Sequence, residues 1–177
     1  KNRSVNPKVD NESLLSMAVK KINKHDEQPT LVTGATGYVG GRLIPALLTS
    51  GYRVRALVRN LEKAGCRPWA KQTGVELVEG DILDRSSLVE ALTGCRAAYY
   101  LVHSMIAQKE KFVAADRKAA ANMVAAASTA GLERIIYLGG LAEAARGPLS
   151  KHLQSRIEVA EILQAGPVPT TDLRTPM

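Results

Sequence analysis

Three glycines at three-residue intervals, between an apolar segment and a helical pattern, constrain this chain more than any other feature. They are Gly34, Gly37 and Gly40. The apolar residues Leu31 and Val32 precede them. After them, apolar residues recur at the i, i+3 and i+4 spacing of one helix face, at Leu43, Ile44, Leu47 and Leu48. Residues 30–50 are therefore predicted to form a short buried strand, a glycine turn and an amphipathic helix.

Each glycine of this turn has its own physical role in binding a dinucleotide. The first lets the strand turn sharply, the second brings the backbone close to a pyrophosphate, and the third lets the helix pack tightly on the strand. The N–H groups and the positive dipole end of the helix that begins near Tyr38 then face the phosphates. Because the spacing is G-x-x-G-x-x-G instead of the commoner G-x-G-x-x-G, the assignment depends on the flanking strand and helix. The alternative is a glycine-rich turn that binds no ligand.

Composition indicates a single α/β domain. The length of 177 residues fits one domain, and the hydrophobic content of 45% with few aromatic residues suits a sheet covered by helices. The sequence has no run of about 18 apolar residues that would span a membrane, and its start lacks the pattern of a signal peptide. Cys66 and Cys95 share no metal-ligand spacing, so we expect reduced thiols, no metal site and a cytoplasmic location.

The net charge of +7 is compatible with an anionic ligand. Basic residues are dispersed along the chain and are barely interleaved with aromatic residues, and no nucleic-acid motif is present. We therefore expect the charge to favour solubility and to attract small anions, and we expect no nucleic-acid partner.

Strands and helices alternate along the rest of the chain. Further strands are predicted at 52–58, 75–79, 97–102, 134–138 and 170–174. Helices are predicted at 61–74 (broken near Pro68), at 84–92 and at 149–164, and a long helix is predicted to end at Ala130. This alternation implies parallel strands joined by right-handed crossovers, most simply in a doubly wound, Rossmann-like α/β sheet of strand order 3-2-1-4-5-6. The small residues of the helix that ends at Ala130 permit close packing against the sheet or a partner helix, which leaves a homo-oligomer open.

Residues 1–29 are expected to form an N-terminal arm or linker ahead of this domain. Asp10 or Asn11 is a candidate cap for one helix that reaches Ile22, although a mobile leader fits the segment equally well. Residues 30–177 then form the dinucleotide-binding domain, which we expect to be incomplete at its C-terminal, substrate-binding end.

Arg59 stands at the end of the second predicted strand, about 20 residues after the glycines. A site that prefers NAD carries an acidic residue there for the ribose 2′-hydroxyl. An arginine instead pairs with a 2′-phosphate and stacks on adenine, so NADP is favoured over NAD. The alternative is a solvated arginine at a strand end, and Arg42 and Arg55 are weaker candidates for the same phosphate.

Polar residues also follow the third and fourth predicted strands. Asp81 and Ile82 come where adenine would lie, and the Asp81 carboxylate is a candidate acceptor for the adenine amino group. Helix capping by Asp84, or a plain turn, explains this region nearly as well. His103 follows the fourth strand on the side that faces a bound nicotinamide, as an acid or base or as a polar lid residue.

Five segments taken in order resemble the atypical short-chain dehydrogenase/reductases, closest to their NmrA-like branch. These segments are TGATGYVGGRL, VRALVRN, VEGDILD, YYLVHSM and RIIYLGGL, and the resemblance runs from about Thr30 to Arg174. It implies a Rossmann-like domain that binds NADP or NAD, usually followed by a smaller C-terminal substrate region.

The resemblance also implies a set of cofactor contacts along one edge of the sheet. They are Gly34, Gly37 and Gly40 under the pyrophosphate, Thr33, Thr36, Tyr38 and Val39 in the rest of the loop, Arg59 at the adenosine 2′ position, Asp81 and Ile82 at adenine, and Val102 and His103 beside the nicotinamide ribose.

The expected active site departs from the family pattern. Catalytic members carry Ser or Thr after the fifth strand, where this chain has Gly139 and Gly140, and a Tyr and Lys four residues apart on the next helix. The corresponding pair here is His152, a candidate proton relay, and Arg156, a candidate cation that holds the cofactor ribose or an anion. A solvent-facing pair is the alternative.

Two functions are therefore compatible with the sequence. One is an NADP-dependent oxidoreductase or epimerase-like enzyme whose substrate the sequence does not name. The other is a catalytically silent NAD(P)-sensing regulator or scaffold, in which cofactor occupancy shifts association with a protein partner.

Overall fold

Six parallel strands form a sheet in the order β3-β2-β1-β4-β5-β6 within the residues that the computed structural model describes, 28–103, 111–141 and 150–175. The strands are β1 (Thr30–Val32), β2 (Val54–Val58), β3 (Val75–Glu79), β4 (Ala97–Tyr100), β5 (Arg134–Gly140) and β6 (Thr170–Thr175). This order confirms the predicted doubly wound arrangement. Its topological switch point lies between β1 and β4, where such folds bind ligands.

Helices cover both faces of this sheet. They are α1 (Tyr38–Thr49), α2 (Leu61–Gly65), α3 (Arg85–Leu92), α4 (Lys111–Ala130) and α5 (Lys151–Gln164). Because successive side chains of a strand point to opposite faces, Tyr99 and Tyr100 of β4 belong to different core clusters. Residues of α1 and α2 pack in the cluster of Tyr99, and residues of α3, α4 and α5 pack in that of Tyr100.

Several predicted boundaries differ from the structure. The helix predicted over 61–74 ends at Gly65, because Pro68 has no N–H group with which to continue it. Trp69 is 3% exposed and packs in the same core cluster as residues of α1. The fourth strand ends at Tyr100 instead of residue 102, whereas the fifth continues to Gly140.

The long helix α4 packs through small side chains, as predicted. Its buried residues are Asp116, Ala119, Ala120, Met123, Ala126 and Ala127. The alanines let α4 approach the sheet closely, with α3 on one side and α5 on the other. Gly131 follows the helix with a φ of +67°, in the left-handed region that favours glycine at helix ends.

The helix predicted between Asp10 and Ile22 lies outside the described residues. Of the helices in the described ranges, none is long and apolar enough to cross a membrane. Cys66 is exposed, Cys95 is buried, and both are free thiols. Burial raises the pKa of the Cys95 thiol to about 11, so this thiol is a weak nucleophile near neutral pH.

Candidate functional site

The turn between β1 and α1 adopts a conformation that side chains would block. Gly34 has a φ of +67°, and a Cβ atom there would lie 2.9 Å from the carbonyl oxygen of Leu101. A Cβ atom on Gly40 would collide with the carbonyl oxygen of Gly34 and lie 2.8 Å from the Cα atom of Ala35. Glycine is therefore needed for the sharp turn at Gly34 and for the close approach of helix to strand at Gly40.

The N-terminal end of α1 can receive an anion. Gly37 is its N-cap and supplies no capping side chain, whereas a side chain caps each of α2, α3 and α5. Tyr38 and Val39 are exposed in the first turn, and the backbone N–H groups of both lack a hydrogen-bond partner among the described residues. A pyrophosphate would accept hydrogen bonds from these groups, so the residues present fit a dinucleotide.

Thr33 was expected to contact the cofactor, but its side chain is buried and bonds to the protein backbone. Its side chain is fully buried, and its hydroxyl donates to the carbonyl oxygen of Tyr99 at 3.1 Å while accepting from the backbone N–H of Leu101 at 3.1 Å. These two bonds join the ends of β1 and β4. Thr33 therefore fixes the two strands that flank the switch point.

The residues that were predicted to contact adenine form a turn that is anchored from α4. One carboxylate oxygen of Asp81 accepts from the backbone N–H of Leu83 at 2.8 Å, which closes the local turn. Ile82 is buried, and its carbonyl oxygen accepts from the side-chain amide of Asn122 at 3.1 Å. Asp84 caps α3 by accepting from the backbone N–H of Ser86. The backbone of this turn is therefore held in place on two sides.

The three candidate arginines for a 2′-phosphate lie in different environments. Arg59 is exposed directly after β2, at the edge where the cofactor is expected. The guanidinium of Arg42 lies over the ring of Tyr38, 3.7 Å from its centroid. Arg55 donates to Glu76 and to the carbonyl oxygens of residues 91 and 93, so it stabilises the C-terminal end of α3 and is not part of the site.

His103 lies in a largely buried polar environment at the end of β4. Its ring meets the Tyr137 ring edge-on, with centroids 5.9 Å apart. Burial, and then the nearby Arg156 cation, lower the pKa of His103 to about 4, while Asp116 and a hydrogen bond with the Leu138 backbone act in the opposite direction. The Nε2 atom is enclosed and has no hydrogen-bond partner in the described part of the chain. The neighbouring Val102 packs against the core.

The space beside Gly139, where a Ser or Thr was expected, is filled from the neighbouring strand. A Cβ atom on Gly139 would lie 2.5 Å from Oδ1 of Asp172 and 3.2 Å from Cε1 of Tyr137. Asp172 is paired with Tyr137 in the β5–β6 register, so both side chains point to the same face of the sheet. Gly139 and Gly140 lie within β5 instead of after it, and both are buried.

His152 and Arg156, the pair predicted on the helix after β5, differ in exposure. His152 is exposed, whereas Arg156 is partly buried and its carbonyl oxygen accepts from the Tyr137 hydroxyl at 3.2 Å. Arg156 also lowers the pKa values of His103 and Tyr137 below what burial alone would give. The structure therefore brings Arg156 close to the end of β4, with His152 one helical turn before it.

Sequence reasoning missed a buried polar contact between α4 and α5. Ser155 donates to a carboxylate oxygen of Asp116 at 2.9 Å, and both residues are buried. Asp116 is an acidic residue among alanines that face the core, a departure from the apolar pattern that marks a position worth examining. Asp172 and Asn122 carried no such signal, because their positions depend on contacts between elements far apart in sequence.

The NmrA-like family model matches residues 26–177. The chain belongs to the NmrA-like family. Two solved structures with a bound nicotinamide nucleotide show the same fold. Citrobacter sp. triphenylmethane reductase complexed with NADP(H) is 29% identical, with a TM-score of 0.68 over 83% of this chain and 49% of that one. The Escherichia coli quinone oxidoreductase QOR2 complexed with NADPH is 28% identical, with a TM-score of 0.67 over 82% and 48%.

Relatives of this NmrA-like chain include an assembly factor as well as a reductase by name. Photosystem II assembly factor Ycf39 of Cyanophora paradoxa is 36% identical over 60% of this chain and 32% of its own length. A putative dihydroflavonol 4-reductase of Synechocystis is 36% identical over 63% and 32%. The chain thus spans about a third of these relatives and about half of the solved neighbours. Complexes of the solved neighbours with NADP(H) support the binding of NAD(P).

No group of three or more His, Cys, Asp or Glu side chains forms a metal-ligand cluster in the ranges that the structure describes.

Proposed function

We propose that this chain is the cofactor-binding part of an NADP-preferring oxidoreductase of the atypical short-chain dehydrogenase/reductase type. The observation that carries this proposal is the uncapped first turn of α1 beside Gly34 and Gly40, at the switch point of a doubly wound sheet. That backbone suits a pyrophosphate. The NADP(H) and NADPH complexes of the two solved neighbours support the same ligand.

The residues along the sheet edge then have distinct roles toward the dinucleotide. The N–H groups of Tyr38 and Val39 bind the pyrophosphate, Arg59 binds the 2′-phosphate, and the turn of Asp81 and Ile82 contacts adenine. Val102 and His103 lie at the nicotinamide ribose. When bound, the nicotinamide supplies or accepts a hydride.

The proposed chemistry needs a proton donor and a cation near the nicotinamide. Arg156 is partly buried close to His103, so its fixed positive charge can orient the ribose or an anionic substrate group. His152, one turn earlier and exposed, relays a proton between solvent and the reacting oxygen. The reaction is hydride transfer or a transient oxidation such as epimerisation.

A cofactor-sensing regulator or scaffold is the second candidate function. Gly139 and Gly140 supply no hydroxyl, and Asp172 fills the space that a side chain on Gly139 would need. The name of the Ycf39 relatives, assembly factors, favours this alternative too. In such a protein, bound NADP would stabilise the form that associates with a partner.

A binding and turnover experiment separates these functions. NADPH and NADH are titrated into the chain by fluorescence, and tighter binding of NADPH is expected. If the full-length protein is an enzyme, it oxidises NADPH in the presence of a carbonyl substrate, and His152→Ala lowers kcat. Unchanged turnover in His152→Ala would remove His152 from the mechanism. Tight binding without turnover of any carbonyl substrate would favour the regulator.

A further inference from the structure

A basic cleft of about 400 Å³ lies beside the glycine turn. It is bounded by Thr36, Tyr38 and Arg42 on the α1 side and by Arg67, Trp69 and Gln72 on the α2–β3 side. The described residues that line it include two arginines and no acidic residue. A cleft with this lining favours an anionic ligand that also presents a flat or apolar surface.

Arg67 is held against the backbone of the glycine turn. Its Nη2 atom donates to the carbonyl oxygen of Thr36 at 3.0 Å. A guanidinium has five N–H donors in a planar fork, so this bond positions the group and leaves other donors for a phosphate. Its place was not predicted, because Arg67 comes after α2 and reaches the turn only in the folded chain.

Arg42 supplies the second cation from the opposite wall. Its guanidinium stacks on the ring of Tyr38, and its Nη1 atom donates to the Tyr38 carbonyl oxygen at 3.4 Å. Both arginines are therefore positioned by contacts with the turn itself. Positioned donors lose less conformational entropy on binding than free surface side chains do.

The cleft lies on the side of the turn that faces the adenosine half of a dinucleotide. Its second wall, residues 67–72, follows α2, and α2 begins just after Arg59 at the carboxyl end of β2, the strand between β1 and β3. A dinucleotide whose pyrophosphate rests on Tyr38 and Val39 therefore extends its adenosine ribose toward this wall.

We propose that Arg67, together with Arg42, binds the 2′-phosphate of NADP and determines the preference for NADP over NAD. This inference rests on the proposed dinucleotide binding. It adds Arg67 to the site of Arg59 and includes Arg42, which the sequence had named as a weaker candidate. Arg59 is exposed at the end of β2, whereas Arg67 is fixed by a hydrogen bond at the turn. The chemical class recognised is a phosphate monoester on an adenosine ribose.

The experiment compares nucleotides that differ only in this phosphate. Dissociation constants for NADPH and NADH are measured by fluorescence titration on the full chain and on Arg67→Gln, Arg67→Lys and Arg42→Gln. Competition by 2′,5′-ADP against ADP isolates the adenosine half. Arg53→Gln, at the opposite end of β2, removes one positive charge away from the cleft and is the control.

Arg67→Gln is expected to raise the dissociation constants of NADPH and 2′,5′-ADP by about tenfold or more, because a charge-assisted hydrogen bond is lost. The dissociation constants of NADH and ADP should change by less than about twofold. Arg67→Lys should lose less NADPH affinity than Arg67→Gln, because it keeps the positive charge. Arg42→Gln should also weaken NADPH binding selectively, by a smaller factor. The dissociation constants of Arg53→Gln for all four nucleotides should match those of the wild-type chain.

Equal weakening of NADPH and NADH in Arg67→Gln would overturn the inference, because Arg67 would then act only by supporting Thr36. Unchanged binding of both nucleotides in Arg67→Gln and Arg42→Gln would overturn it as well. In either case the wild-type chain still binds NADPH, so dinucleotide binding stands. Absence of nucleotide binding by the wild-type chain would instead overturn the proposed function together with this inference.

Discussion

Oδ1 of Asp172 occupies the space beside Gly139, 2.5 Å from where a Cβ atom on that glycine would lie. This carboxylate oxygen is buried and has no hydrogen-bond partner within the described ranges, while the other oxygen pairs with Arg174 at 2.8 Å. The glycine is thus needed at the position where the resemblance led us to expect a Ser or Thr hydroxyl. The Asp172 side chain on β6 therefore fits only because β5 has no side chain at Gly139.

The packing of Gly139 against Asp172 predicts a steric cost for any side chain. Gly139→Ala is expected to lower the free energy of unfolding by about 1–3 kcal/mol, the usual range for overpacking. Denaturant unfolding measures it. Adding Asp172→Ala should recover most of the loss, and additive effects of the two changes would contradict direct contact. Gly65→Ala is the control, since nothing lies within 4 Å of its added Cβ atom.

The buried contact of Ser155 with Asp116 predicts a second stability effect. Ser155→Ala leaves the Asp116 carboxylate oxygen without this donor, and a loss of about 1–3 kcal/mol in unfolding free energy is expected. Urea unfolding monitored by circular dichroism checks it. Ser128→Ala, an exposed position on α4, should change stability by less than about 0.5 kcal/mol. Equal effects of the two changes would contradict a stabilising role for this bond.

The lowered pKa of His103 predicts that stability falls on acidification. Because the folded value is about 4 and the ordinary value is 6.5, the unfolded chain binds more protons between these pH values. The contribution of His103 is therefore complete above pH 6.5 and is lost as pH falls toward 4, by at most about 3 kcal/mol.

Unfolding free energies at several pH values between 4 and 7.5 test this titration. His103→Gln should show a smaller pH dependence than the wild-type chain, because no buried imidazole remains to be protonated. His152→Gln replaces an exposed imidazole and serves as the comparison. A pH dependence that is the same in His103→Gln and wild type would assign the effect to other groups.

Arg59 predicts a change in nucleotide preference that can be tested separately from Arg67. Arg59→Glu places a carboxylate at the end of β2, where it repels a 2′-phosphate and accepts from a 2′-hydroxyl. The ratio of the NADPH and NADH dissociation constants should shift toward NADH by about tenfold or more. Fluorescence titration measures both constants. An unchanged ratio would leave Arg67 and Arg42 as the determinants of preference.

Local patterns were sufficient for most of the fold. The glycine spacing before Tyr38 predicted the turn and the start of α1, and the cap at Asp84 predicted the start of α3. The alternation of apolar strands and amphipathic helices predicted the strand order. The predictions were wrong at the ends of elements. The helix that begins at Leu61 ends at Gly65, because Pro68 has no N–H group to continue it.

The sequence by itself determined the class of sheet and the place of the glycine turn, because both depend on backbone conformation and on periodic burial of neighbouring residues. Only the tertiary structure decided the partners of Arg67, Asp116 and Asp172, which meet residues 31, 39 and 33 positions away in the chain. Such contacts depend on how far each side chain reaches between packed elements. No local spacing encodes that distance, so the polar groups around the cofactor edge emerge only when the sheet and its helices are assembled.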